Sequence, residues 1–393
     1  MRRTSLILIV LLVAAACSGQ AEETTTTAPS TTTTTSTAAD TTTTGPSTTT
    51  TTEPGTTTTL APLQSLAYEP IASFAFPVQV LPGPAQGLVY VVDKVGYLWA
   101  LTNGDLVEEP VLDISGLVSG ANEQGFLSAA LHPDDGTRLF VHYTDTGGDT
   151  MVAEYSLPDP LEADPGSERA LLQVDQPARN HNGGLLLFAP DGRLILGLGD
   201  GGGAGDQFGN GQNTDTLLGG LVAIDPETGE ASLYAHGLRN PWRFWLDDGF
   251  MYIADVGQNS YEEINATEFD PGLNFGWPIM EGLHCFSPPS GCDQSYLVPP
   301  VVEIAHGDAG TCSITGGVVY RGSEIPELNG HYLFSDYCGG YLRSFDTRDA
   351  EFEVMDWTDD VGVPGRVTGF GVDADGEVYV VTDQDVLRLV AVR

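Results

Sequence analysis

A histidine and an aspartate stand near the two ends of one short stretch, RNHNGGLLLFAPDGRLILGLGD, which runs from Arg179 to Asp200. A histidine titrates near neutral pH and can act as a general base, and an aspartate can orient its imidazole and stabilise the protonated ring. The residues between them are β-formers interrupted by a Pro-Asp-Gly turn, which is typical of a hairpin. His181 and Asp200 are therefore either a catalytic pair or two polar residues of an ordinary hairpin.

The chain has five cysteines, of which Cys17 lies near the amino terminus and four follow late in the sequence. An even number of cysteines in an exported protein indicates disulfides. We favour a pair between Cys285 and Cys292, which would close a loop rich in Ser, Pro and Gly, and a second pair between Cys312 and Cys338. A zinc site is the alternative, but the spacing lacks a C-x-x-C pair.

A recurring unit positions these residues: a turn that ends in glycine, then a short strand rich in β-branched and aromatic residues, closing near an aspartate or threonine. Six copies occur, and their turn glycines, which reach positive φ without a Cβ clash, are Gly87, Gly136, Gly192, Gly249, Gly330 and Gly376. The number of residues from one of these glycines to the next is typical of the length of a propeller blade. We therefore predict an all-β fold, a six-bladed β-propeller of four-stranded antiparallel sheets, with an insertion in the longest interval. Two packed β-sandwiches are the rival architecture, which the spacing disfavours.

Loops at one end of a propeller converge on its axis. His181, Asp200, Arg239 and Gly257 directly precede or follow the predicted strands. We therefore expect these four residues to meet near the axis.

Five motifs make the pattern specific. They occur in the order HNGG from His181, LGDGG from Leu198, GLRNPWRF from Gly237, DVGQNSYEEIN from Asp255 and NFGWP from Asn274. This series resembles the glucose/sorbosone dehydrogenase family, the soluble sugar dehydrogenases that use pyrroloquinoline quinone (PQQ). The resemblance covers nearly all of the chain from Gln64 onwards. In wording it is closer to the branch that contains the Hedgehog-interacting-protein-like propellers.

The resemblance implies a role for each matching residue. His181 would take the proton from the sugar C1 hydroxyl as hydride leaves for the quinone, and Asp200 would orient and stabilise the imidazole. Arg239 would polarise the quinone oxygen, and Asn240 would hydrogen-bond the same edge of the cofactor. The structural alternative for Arg239 is a guanidinium stacked on an aromatic ring.

The same resemblance implies a calcium site. The backbone carbonyls of Gly257 and Gln258 match the loop that holds Ca²⁺ in the enzymes, and calcium accepts such oxygen ligands. One interpretation of the nearby Glu262 and Glu263 is that they are exposed charges on an acidic surface rather than ligands. Trp277 we expect to pack between blades.

The sequence departs from the family where the carboxylates of PQQ should be held. The late lysine is absent, because Lys94 is the only lysine and lies in the first blade. Arg366 fits the first of two late arginine positions, but Thr368 stands at the second. Glu123 replaces a glutamine that contacts the cofactor. Losing such charge-assisted hydrogen bonds, each worth about 1.5–3 kcal/mol, would weaken cofactor binding.

Two functions remain open. The favoured one is an exported quinoprotein dehydrogenase that oxidises an aldose at its C1 hydroxyl, with PQQ, Ca²⁺ and a separate electron acceptor. The alternative is a non-catalytic, calcium-stabilised propeller that binds a glycan or a protein. Arg321 and Arg343 are candidates to replace the missing cations.

The ends and the charge of the chain concern its location. Residues 1–17 read as a signal segment, with two arginines, a short apolar run and small residues before Cys17, which resembles a lipoprotein cleavage site. An ordinary secretory signal is the alternative. Residues 18–63 form a threonine-rich linker that we expect to be disordered, and residues 64–393 form the propeller. A net charge of −39 disfavours nucleic acid and anionic lipid as partners, so membrane contact is expected only through lipid on Cys17.

Overall fold

The computed structural model describes residues 60–393. The predicted signal segment, the lipidation of Cys17 and most of the threonine-rich linker lie outside the described residues.

The described part consists of short strands rich in β-branched, leucine and aromatic residues, which suit a pleated and buried surface. Strand β1 (Ser65–Ser73) comes first and is followed by the strands of three blades. These are β2 (Pro77–Pro82), β3 (Leu88–Asp93), β4 (Tyr97–Thr102), β5 (Asp105–Leu106) and β6 (Leu112–Asp113); then β7 (Phe126–His132), β8 (Asp135–Thr144), β9 (Thr150–Asp159) and β10 (Glu162–Val174); then β11 (Leu186–Phe188), β12 (Leu194–Leu198), β13 (Gly220–Ile224) and β14 (Ala231–His236).

Three further blades complete the chain. They contain β15 (Pro241–Asp247), β16 (Phe250–Asp255), β17 (Tyr261–Glu268) and β20 (Val302–Ala305); then β21 (Ile314–Val319), β22 (His331–Asp336), β23 (Arg343–Asp346) and β24 (Met355–Asp356); then β25 (Val367–Val372), β26 (Val378–Thr382) and β27 (Asp385–Val392). The hairpin β18 (Met280–Glu281) and β19 (His284–Cys285) lies in the insertion between β17 and β20. Helical turns occur at Asp308–Gly310, Pro326–Leu328 and Thr358–Val361.

The six sheets close into a ring, as predicted. The first strand of each blade contacts the next blade around the axis, through β2, β7, β11, β15, β21 and β25. Strand β1 pairs antiparallel with β27 and so supplies the fourth strand of the last blade from the start of the domain. A parallel bridge between Val80 of β2 and Gly371 of β25 joins the first and last blades. The fold is a six-bladed β-propeller.

Hydrophobic packing between neighbouring blades holds the ring together. Six clusters of buried side chains occur, one at each of the six blade interfaces. Tyr90 of the first blade packs with Phe126 and Tyr155 of the second, for example. Such burial of apolar area is the main favourable term in folding.

Two details differ from the prediction. Gly136 lies inside β8, and its φ is not positive, in contrast to the other five turn glycines. The reason is that His132 pairs directly with Asp135, so that the strand begins before this glycine. In the first blade the fourth strand is split, because the two-residue strands β5 and β6 both pair with β4.

Candidate functional site

Antiparallel pairing places the start of the first strand and the end of the second strand at the same edge of every blade. These edges meet on the axis around a cavity of about 430 Å³. Each blade contributes to its lining, as shown by one residue from each: Lys94, Glu123, Asn180, Asn240, Thr315 and Thr368. A concave site of this size suits a small molecule.

Aspartates at the ends of second strands fix the loops around the cavity. In three blades the carboxylate accepts hydrogen bonds from the two backbone N–H groups that directly precede the first strand. The sets are Asp93 with Ala75 and Phe76, Asp255 with Arg239 and Asn240, and Asp336 with Cys312 and Ser313. The aspartate that closes the sequence repeat therefore has a local structural role in these blades.

The third blade uses its aspartate differently. Asp200 Oδ1 lies 2.6 Å from His181 Nδ1 and accepts a further hydrogen bond from the Gly202 N–H at 2.9 Å. Both side chains are buried, with exposed fractions of 3% for His181 and 1% for Asp200. His181 has a φ of 58°, in the left-handed region that non-glycine residues rarely adopt. Gly199 permits the approach, since a Cβ there would lie 2.2 Å from the His181 carbonyl oxygen.

This geometry decides the tautomer of His181. An ionised carboxylate can only accept a hydrogen bond, so Nδ1 carries the proton and Nε2 holds a free lone pair. The neutral ring is then prepared to take a proton at Nε2, while Asp200 can stabilise the positive ring that results.

Trp277 completes this arrangement, although we expected it only to pack between blades. Its Nε1–H donates to Asp200 Oδ2 at 2.9 Å, so each oxygen of the aspartate has a donor. The ring also lies 5.6 Å from the Arg239 guanidinium. Its place in the NFGWP motif was the available sequence signal, but nothing local linked it to Asp200.

Arg239 and Asn240 lie beside the histidine. The Arg239 guanidinium donates to the Val256 carbonyl at 2.8 Å, and its Nε is buried without a hydrogen-bond partner among the described residues. The Asn240 Oδ1 accepts the Gly183 N–H at 3.2 Å. The ring beneath Arg239 is Trp277, whereas the neighbouring Trp242 lies 4.5 Å from Arg243.

Glu123 lines the cavity and joins two of these elements. Its Oε2 accepts the His181 backbone N–H at 2.7 Å and the Asn240 side-chain N–H at 3.1 Å. The Glu123 carboxylate therefore helps to position the backbone of His181, the candidate base, and also lines the cavity.

Of the cations named in the sequence analysis, Lys94 and Arg366 lie in or beside the cavity lining, whereas Arg321 and Arg343 do not. Lys94 lines the cavity, to which the first blade contributes as every other blade does. Arg366 is exposed and lies 5.5 Å from the ring of Tyr337, another lining residue. The suggested substitutes do not contribute: Arg321 pairs with Asp247 at the far end of β15, and Arg343 pairs with Asp356.

The loop from Gly257 to Tyr261 wraps around carboxylates. Glu281 Oε1 accepts the backbone N–H groups of Gln258, Asn259, Ser260 and Tyr261. The carbonyl oxygens of Gly257 and Gln258 accept no hydrogen bond from the described residues, so they remain available as ligands of the kind that Ca²⁺ prefers.

Glu262 and Glu263 are buried, so our interpretation of them as exposed charges was wrong. Glu262 is 0% exposed and accepts hydrogen bonds from His306 Nε2 at 2.5 Å and from the Ile314 N–H at 2.9 Å. Glu263 faces Asp255 across the β16–β17 pair, and burial raises the pKa of both carboxyl groups. Acidic residues in this strand thus hold neighbouring segments together.

Both favoured disulfides are present. Cys285 bonds to Cys292 in the insertion, and Cys312 bonds to Cys338 beside the cavity loops. Disulfides are typical of extracellular proteins. Within residues 60–393 we find no helix with the length and apolar character needed to cross a bilayer.

The model of the glucose/sorbosone dehydrogenase family matches residues 74–391. The chain belongs to this family. Among family relatives, it is 29% identical over 328 residues to the HIPL1 protein of Arabidopsis thaliana, a match that covers 66% of this chain and 46% of that protein. It is 27% identical over 365 residues to the Hedgehog-interacting protein of Homo sapiens, covering 80% and 49%. The chain thus spans about half the length of these curated relatives.

A solved structure resembles the fold. The PQQ-bound aldose sugar dehydrogenase of Streptomyces coelicolor superimposes with a TM-score of 0.68 at 20% identity, covering 84% of this chain and 100% of that one. At this identity the match shows a shared propeller architecture. The chain is therefore a glucose/sorbosone dehydrogenase-family propeller related in fold to PQQ-dependent sugar dehydrogenases.

Proposed function

We propose that the protein is an exported dehydrogenase that oxidises an aldose at its C1 hydroxyl with PQQ as the hydride acceptor. The observation that carries the proposal is the His181–Asp200 pair, supported by Trp277 and adjoining Asn180 and Glu123 of the cavity lining. In three other blades the equivalent aspartate accepts the backbone N–H groups that precede the first strand, whereas here it holds an imidazole. Attachment to the outer face of the membrane through Cys17 belongs to the same proposal and rests on the amino-terminal sequence.

The donor groups around the cavity fit PQQ, which is a planar tricarboxylate. Lys94, Arg239 and Arg366 are cations in or beside the lining, and Asn240 adds an amide. The negative charge of Glu123 would repel an anion, but its carboxylate accepts hydrogen bonds from two N–H donors. When bound, PQQ supplies a two-electron acceptor for hydride.

The protein residues would then act on the proton and the substrate. His181 Nε2 takes the proton of the C1 hydroxyl, and Asp200 stabilises the imidazolium through Nδ1–H. Trp277 keeps the second oxygen of Asp200 in place, and Arg239 orients the reacting groups. The carbonyls of Gly257 and Gln258 would hold Ca²⁺.

Reconstitution tests the proposal. Purified protein is incubated with PQQ and Ca²⁺, and dye reduction is followed with a panel of aldoses. We expect turnover in the wild type, loss of turnover in a folded His181→Ala variant, and retention in His132→Ala, whose side chain lies at the opposite end of β7. Failure to bind PQQ at tens of micromolar would overturn the proposal and favour a non-catalytic propeller that binds a glycan or a protein.

A further inference from the structure

Lys94 is fixed at the wall of the cavity by contacts with its own blade and with the second blade. Its ammonium donates to the Asn122 carbonyl, and it lies 4.9 Å from the centre of the Phe76 ring. Its backbone carbonyl accepts the Phe126 N–H at 2.9 Å. A Cβ on Gly125 would lie 2.4 Å from the Lys94 Cγ, so this glycine leaves room for the lysine stem.

The charge of Lys94 is not neutralised by direct contact. No carboxylate forms an ion pair with it in the part of the chain from residue 60 onwards. Burial lowers its pKa, and the more distant Glu123 opposes that effect. An ammonium has three donors, of which the Asn122 carbonyl takes one. The remaining donors of this partly buried ammonium are therefore available to an anion in the cavity.

The last blade, which adjoins the first blade at the ring closure, has an uncharged residue where the family resemblance implies a cation. Thr368 of the last blade lines the same cavity, but its hydroxyl donates to the Pro77 carbonyl at 2.8 Å. Pro77 directly follows Phe76, the residue over which the ammonium lies. Among the described residues that line the cavity in the first and last blades, Lys94 is the only cation, because Arg366 of the last blade lies beside the lining at the ring of Tyr337.

We propose that Lys94 binds a carboxylate of the anionic cofactor and that Glu123 limits the strength of this binding. This inference rests on the proposed function. Lys94 and Glu123 are then positioning residues for the cofactor, with opposite effects on its affinity. Glu123 also holds the His181 backbone and the Asn240 side chain through hydrogen bonds.

A titration in the presence of Ca²⁺ and without sugar tests the inference. PQQ binding is measured by calorimetry and by quenching of tryptophan fluorescence, since Trp242 lines the cavity. We expect Lys94→Gln to weaken PQQ affinity about 10- to 100-fold, the range of one charge-assisted hydrogen bond. Glu123→Gln, which keeps an acceptor oxygen, should strengthen it. The matched control Arg343→Gln, which removes a cation outside the lining, should leave affinity unchanged.

A second probe isolates the carboxylate. The trimethyl ester of PQQ lacks the three negative charges, so wild type and Lys94→Gln should bind it equally. If the wild type binds PQQ and Lys94→Gln binds it as tightly, the role of Lys94 is refuted and the proposed function stands. If Glu123→Gln fails to strengthen binding, the charge argument is refuted. If the wild type does not bind PQQ, both proposals fall.

Discussion

Replacing Asp200 by asparagine tests the chemistry of the candidate site most directly. The aspartate accepts hydrogen bonds from His181 Nδ1–H and the Gly202 N–H on one oxygen and from Trp277 Nε1–H on the other. An asparagine has one acceptor oxygen and one NH₂ group, so it cannot satisfy all three donors. In one orientation its NH₂ faces the indole N–H. In the other it faces Gly202 and forces His181 to protonate Nε2, which removes the base.

The expected loss can be estimated from these contacts. One buried donor left without a partner costs about 1–3 kcal/mol of stability. Turnover should fall about 10²- to 10⁴-fold, because general-base catalysis is worth about that factor and a neutral amide cannot stabilise the imidazolium. Adding Trp277→Phe removes the competing indole donor, so the double variant should regain the Nδ1–H tautomer and part of the activity.

The assays are dye reduction by the protein loaded with PQQ and Ca²⁺, and ¹⁵N NMR of the histidine tautomer in the protein alone. Asp206→Asn is the matched control, since Asp206 lies in the same glycine-rich loop but accepts backbone N–H groups, among them those of Asn210 and Gly211. A folded Asp200→Asn variant with full turnover, or with an unchanged tautomer in every combination, would refute the reasoning.

Three further predictions concern stability. Burial lowers the pKa of His142 to about 4, and its Nδ1–H donates to the Gly184 carbonyl, so the native ring stays neutral while the unfolded chain binds a proton below its ordinary pKa of 6.5. The neutral His142 ring therefore contributes to the free energy of unfolding above pH 6.5, and about 2 kcal/mol of this contribution is lost between pH 7 and pH 5. The melting temperature of His142→Gln should depend less on pH over this interval than that of the wild type. An equal dependence would contradict a neutral, buried His142. Replacing Cys312 and Cys338 by serine should lower the free energy of unfolding by about 3 kcal/mol, because their disulfide closes a segment of 26 residues; denaturant titration that shows no loss would contradict this. Chelation should lower the melting temperature of the wild type but not of Gly257→Ala, since a Cβ there would lie 1.7 Å from the Tyr261 carbonyl oxygen; a wild type insensitive to chelator argues against calcium at this loop.

Much of the architecture was predictable because its signals are local. The six turn-and-strand repeats correspond to the second strands of the six blades, and both favoured disulfides are present. His181 and Asp200 are only 19 residues apart, at the two ends of one hairpin, so antiparallel pairing brings them together.

Burial was less predictable from local sequence. Glu262 and Glu263 have the composition of a surface segment, but a neighbouring strand and the insertion cover them. Gly136 has the sequence of a turn, but the pairing of β7 with β8 extends past it. In each case a partner remote in the chain decided the outcome.

The sequence by itself determined the repeat, the blade count and the identity of the imidazole–carboxylate pair, because these depend on turn chemistry, strand periodicity and motifs within one hairpin. The tertiary structure alone decided which distant groups surround that pair. Trp277 reaches Asp200 across 77 residues, and Glu123 reaches Asn240 across 117. Lys94 of the first blade is held at the cavity by Asn122 and Phe126 of the second blade. No local pattern encodes such contacts, since they arise from closing the ring.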